Sequence, residues 1–111
     1  MRAVIDTNIL VSALLTPGGL PAQLIAAIRT QSLIPVVSES ILAEYAEVLS
    51  RPRFGFANDR VASLLEDMKG LAIFLKPRPI PLQDLPDPDD APFIAAALTA
   101  GCSIITGNSK H

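Results

Sequence analysis

Three acidic residues hold positions from which chemistry is possible. Asp6 ends the apolar run Ala3-Val4-Ile5. Glu44 lies within a helical stretch, with Ile41 and Val48 as its neighbours three residues before and four after. Asp90 follows a proline-rich segment and opens a further helix. Carboxylates gathered at one rim repel each other unless a cation lies between them. A small number of hard oxygen ligands, with room for water, is what Mg²⁺ or Mn²⁺ takes. A site of that kind can activate water and stabilise the charge of an in-line phosphodiester displacement.

The elements that must position these acids follow from hydrophobic patterning. Ala3 to Ile5 predicts a buried strand that turns sharply at Asp6-Thr7-Asn8. A helix starts near Asn8 and ends at Thr16-Pro17-Gly18-Gly19, and Pro21 suits the first turn of a second. Leu33 to Val37 predicts another strand. Ser38 can cap a helix from about Glu39 to Ser50, broken by Arg51-Pro52-Arg53. Asn58 can cap the next helix, Gly70 stops it, and Leu71 to Leu75 reads as a third strand. Lys76 to Pro92 holds six prolines and four aspartates and reads as a loop until Asp90. Ala91 to Ala100 is then helical, Gly101 closes it, and Ser103 to Thr106 is the last strand. Strands alternating with helices imply an α/β domain: a central, mostly parallel sheet between helical layers. In such a sheet the usable crevice lies at the carboxyl ends of the strands, where Asp6, Asp90 and Thr106 would meet.

Composition bounds the alternatives. At 111 residues, half of them apolar, the chain makes one domain with an aliphatic core. A single cysteine excludes a disulfide framework, and one Cys with one His cannot build a zinc site. The net charge of −2 argues against gripping nucleic acid by bulk electrostatics, but not against reaching phosphates through bound cations. No apolar run is long enough to span a bilayer, so no membrane partner is expected and the default location is cytoplasmic.

Ala3-Val4-Ile5-Asp6-Thr7-Asn8, Glu44 in the third helix, Asp89-Asp90-Ala91, and Ile104-Ile105-Thr106-Gly107-Asn108 together resemble the PIN-domain family. The proline-rich approach to Asp90 and the ending Thr-Gly-Asn-Ser-Lys-His look most like its VapC-like toxin branch. The resemblance spans nearly the whole chain, residues 1–111, in the family's order. It implies a three-layer α/β/α fold and a metal-dependent endoribonuclease acting on RNA. It also implies Asp6, Glu44 and Asp90 as catalytic metal ligands for Mg²⁺ or Mn²⁺, with Thr7, Asn8, Thr106 and Asn108 as supporting polar groups. An antitoxin protein and a homodimer follow from the same resemblance. Two departures stand out. Asn108 occupies a place where many members carry another acid, and similar domains continue past His111 into another strand and helix, so this domain is expected to be short at its C-terminus.

Each residue also has a plainer reading. Asp6-Thr7-Asn8 is good turn chemistry, Glu44 can be a border glutamate beside Glu47, and Asp90 can be a simple helix N-cap. Asp87 and Asp89 read as solvated loop acids. Arg51, Arg53 and Arg60 read as a solvated basic turn, with RNA phosphates as the alternative. Cys102 reads as a core residue, and His111 is assigned nothing. Two competing functions remain: a degenerate domain that only binds a protein partner, and phosphoryl transfer through Asp6. The second wants another acid two residues on, where Asn8 stands.

Overall fold

A computed structural model of the chain describes residues 1–79 and 88–107. Asp87, Asn108 and His111 lie outside the described residues. Four parallel strands form one sheet in the order β3-β2-β1-β4, where β1 is Arg2–Ile5, β2 Ile34–Val37, β3 Ile73–Phe74 and β4 Ser103–Ile105. Helices α1 (Thr7–Leu15), α2 (Leu20–Arg29), α3 (Glu39–Leu49), α4 (Asn58–Leu71) and α5 (Ala91–Ala100) complete a three-layer α/β/α arrangement. The expected fold class is thus met.

β1 is central because it can be: Ala3, Val4 and Ile5 are wholly buried, as the unbroken apolar run requires of a strand covered on both faces. Its register pairs Val4 with Val36 on one side and with Ile104 on the other, and Ile5 with Ile105. Helices α1 to α4 pack against one another, and α5 lies against β1, β2 and β4. Ser38 caps α3 as expected, its hydroxyl accepting from the Ile41 amide at 3.2 Å.

Several boundaries shift by one residue, and the larger departures lie at α4 and β3. Helix α4 starts at Asn58 itself, with Ala57 in the capping position, and continues through Gly70 to Leu71. Consequently β3 shrinks from Leu71–Leu75 to Ile73–Phe74. Pro35 supplies the physical reason. Ile34 donates its amide towards β1, to the Met1 carbonyl, so by strand alternation residues 35 and 37 face β3. Val37 indeed accepts there from Leu75, whereas Pro35 has no amide to give. The β3 ladder therefore begins only opposite Val36.

Among the described residues, no single helix is long and apolar enough to cross a membrane. Cys102 is half-buried and packs against the core, as its core reading expects.

Candidate functional site

The sheet order makes β1 the strand where the chain reverses its direction of travel: β2 and β3 lie on one side, β4 on the other. A crevice opens beyond the carboxyl ends of such a strand pair. Asp6 follows β1 directly, and its amide donates to the Ile105 carbonyl at 2.9 Å, which fixes the end of β1 beside the end of β4. Thr106 is thereby brought next to Asp6.

A cleft of about 540 Å³ lies over this rim. Asp6, Thr7 and Asn8 line it from the β1–α1 turn, Glu44 and Val48 from α3, and Asp89, Asp90 and Phe93 from the start of α5. Asp6 and Asp90 also border an adjoining hollow of about 240 Å³ together with Thr106. The structure thus brings Asp6, Thr7, Asn8, Glu44 and Asp90 to one opening, with Thr106 on its far side. Among the described residues, no three acidic, histidine or cysteine side chains converge closely enough to grip one ion. Asp6, Glu44 and Asp90 thus ring a shared space.

Local packing explains how Glu44 and Asp90 arrive. The Tyr45 hydroxyl, fully buried, donates to the Ile5 carbonyl, so the acids beside them, Glu44 on α3 and Asp6 just after β1, are tied together. Burial pushes the Tyr45 phenol far above its usual value, and the Asp6 charge adds to this, so it remains a donor. Tyr45 also meets Phe93 with ring centroids 6.2 Å apart, which docks the first turn of α5 and with it Asp90.

The plainer readings of these acids fare unequally. Asp90 stands at a helix N-terminus without a side-chain capping bond, whereas the Asn8 and Thr7 amides at the start of α1 act on the Asp6 carboxyl. Burial raises the Asp6 carboxyl above its ordinary value; the Asn8 amide opposes this, the Asp90 charge adds to it, and the Thr7 amide opposes it. Glu44 is raised too, by burial first and then by Glu47, with Arg51 opposing and Asp89 and Asp6 adding. The acids therefore feel one another. Thr7 contributes a second anomaly: its hydroxyl is buried and has no hydrogen-bond partner among the described residues. A buried polar atom left unpaired is costly, and one at the wall of an acidic cleft suits a ligand-ordered water or cation shell.

Composition and spacing left part of the wall in its plainer reading and passed over Phe54. Arg51, Arg53 and Phe54 border the same cleft, and Asp89 does so as well, whereas Arg60 lines a separate hollow between α1, α2 and α4. The three arginines are thus not one solvated turn. The signal in the sequence was the helix break at Pro52, which turns Arg51 and Arg53 back towards the α3 side.

Residues 2–110 match the family model described as PIN domain. The chain belongs to the PIN domain family. PIN domains are nuclease-type folds that usually employ divalent metals, which accords with an acid-lined cleft at the switch point. A curated relative, the uncharacterized protein MJ1680 of Methanocaldococcus jannaschii, is 30% identical over 112 residues, covering 97% of this chain and 71% of that protein. No solved structure matched significantly.

Proposed function

We propose that this PIN domain is a Mg²⁺- or Mn²⁺-dependent endoribonuclease that hydrolyses RNA phosphodiester bonds, acting in the cytoplasm as the toxin of a toxin–antitoxin pair. One observation carries the reading: Asp6, Glu44 and Asp90 border a single cleft at the sheet's switch point, with the unpaired Thr7 hydroxyl in its wall. The donor set is all hard oxygen, which fits a small divalent cation. Asp6, Glu44 and Asp90 would hold it, and there it would supply charge stabilisation and a more acidic water for phosphodiester hydrolysis. Thr7 and Asn8 orient water or substrate oxygens at the α1 N-terminus, and Thr106 borders the far side. Asn108 belongs to the same set by its place in the sequence.

An antitoxin protein that covers the acidic cleft, and self-association into a homodimer, belong to the same proposal. Co-purification with the product of the neighbouring gene and sedimentation of the free protein test these two. The catalytic reading is tested with purified protein, Mn²⁺ and single-stranded RNA. Wild type cleaves; Asp6→Asn and Asp90→Asn lose cleavage by roughly two orders of magnitude or more, as expected when a charge-stabilising group is removed. Unchanged cleavage in both variants would overturn the assignment.

A second reading has its own observation. The acids ring the cleft without three of them converging among the described residues, as suits a domain that binds a protein and no longer catalyses. Calorimetry with Mn²⁺ separates the two: no binding at millimolar metal, together with no RNA cleavage, selects the binding module.

A further inference from the structure

The cleft that collects the acids also presents cations, and these differ in kind. Arg51 is engaged. Its guanidinium grips Glu47 through two hydrogen bonds, 2.8 and 3.2 Å long, in an i,i+4 pair on the α3 side. Arg53 makes no ion pair among the described residues, although four carboxylates border the same opening. It is held instead over the Phe54 ring, 4.8 Å from its centroid. Phe54 in turn stacks on Phe56, with centroids 5.3 Å apart and planes only 8° from parallel. Short turns at Pro52–Phe54 and a left-handed Gly55, at φ 62°, bring the two rings together.

A guanidinium fixed on an aromatic face keeps its N–H edge available while losing rotamer freedom. As part of the lining of an acidic cleft, it is available to a ligand that enters. A polyanion meets repulsion from Asp6, Glu44, Asp89 and Asp90 and needs a compensating donor beside them. Phosphate is the group that a planar, fork-like donor recognises best.

We propose that Arg53, held by the Phe54–Phe56 stack, is the phosphate-binding residue of this cleft and contacts a phosphodiester of single-stranded RNA next to the scissile one. This rests on the nuclease reading above for the identity of the substrate. Arg53 sets substrate affinity and takes no part in holding a metal.

The test compares wild type, Arg53→Gln, Arg53→Lys and Arg60→Gln. Arg60→Gln removes the same charge at a distant hollow and serves as the control. Initial rates are measured with Mn²⁺. Binding of a fluorescein-labelled single-stranded 12-mer RNA is measured by anisotropy over a range of salt, with Ca²⁺ replacing Mn²⁺. For Arg53→Gln, KM rises roughly tenfold with kcat little changed, the size expected for a lost charge-assisted contact. Its salt-dependence slope falls by about 0.7, the value for one phosphate contact on a single strand. Arg53→Lys recovers the slope but only part of the affinity, because the planar fork is lost. Phe54→Leu, which frees the guanidinium, weakens binding in the same direction by less.

The outcomes separate the two claims. Cleavage by wild type with KM and slope unaltered in Arg53→Gln overturns the Arg53 assignment and leaves the nuclease reading standing. Arg53-dependent RNA binding without cleavage overturns the nuclease reading and supports Arg53 as the phosphate contact, without its place beside a scissile bond. No RNA binding by wild type overturns both. An equal loss in Arg60→Gln shows bulk charge at work and overturns the assignment.

Discussion

The Tyr45 hydroxyl donates to the carbonyl of Ile5, joining the middle of α3 to the last residue of β1. Each partner is the immediate neighbour of an acid, Glu44 on one side and Asp6 on the other. One buried hydrogen bond thereby fixes how far apart two carboxylates of the cleft can stand. Tyr45→Phe keeps the ring against Phe93 and removes only this bond. Stability should fall by about 1–3 kcal/mol, the cost of an unsatisfied buried carbonyl, measured by urea unfolding. Mn²⁺ affinity should fall as well, because the spacing between the two elements is no longer set. A variant that unfolds like wild type and binds Mn²⁺ equally well would show the bond to be incidental.

Burial and the neighbouring Asp90 raise the Asp6 carboxyl, and burial with Glu47 raises Glu44. A carboxyl with a higher pKa in the folded state than in the unfolded state holds its proton more tightly when folded. The folded form is therefore favoured below the unfolded values, near 3.8 and 4.5, and this advantage is lost as pH rises through the raised ones. The metal-free protein should melt at a lower temperature at pH 7 than in mild acid, and Mn²⁺ should flatten that dependence. Asp6→Asn, which removes the charge, should raise the metal-free melting temperature at pH 7 by a few degrees. A lower melting temperature for that variant would contradict the electrostatic account of the cleft.

Glu44 and Glu47 lie one helical turn apart on α3, and the structure gives them different work. Glu44 borders the cleft, while Glu47 is exposed and paired with Arg51. Glu44→Gln should weaken Mn²⁺ binding by about tenfold or more, equivalent to about 1.4 kcal/mol. Glu47→Gln removes an exposed ion pair and should change stability by less than about 1 kcal/mol and metal affinity little. Parallel calorimetric titrations of the two variants check this, and equal effects would remove Glu44 from the metal set.

Glu44 also illustrates what the sequence made legible. Periodicity put Glu44 on the apolar stripe, either at its border or facing inward, and could not choose between them, because a helical pattern fixes a face and not its neighbour. The parallel sheet and the Asp6 turn were readable from Ala3-Val4-Ile5, since a continuous apolar run has few other uses. The length of β3 was not. Leu71 to Leu75 looks like a strand by itself, and only the pairing partner, Pro35, shows why the ladder shortens. Arg53 was only half legible for a similar reason, with RNA phosphates standing as the alternative to a solvated turn. Its sequence neighbours announce a solvated turn, and its role depends on Phe54, Phe56 and acids brought in from three other elements.

Gly101 ends α5 in the left-handed region at φ 67° and leads at once into β4. No Cβ would meet another atom there, so the only penalty of a side chain is the backbone conformation. Gly101→Ala should cost about 1 kcal/mol, measured by denaturant unfolding. The consequence for the site runs through β4. The Cys102 amide bonds back to Ala97, and Ile105 three residues on accepts from the Asp6 amide. If the turn relaxes to a different backbone, β4 shifts and the Asp6–Thr106 rim loosens, lowering activity more than stability alone explains. If the turn holds under strain, stability falls and activity per folded molecule does not. Gly101→Asn separates the two cases, because asparagine tolerates the left-handed region better than alanine. It should recover part of the lost stability, and activity along with it only if the rim had moved.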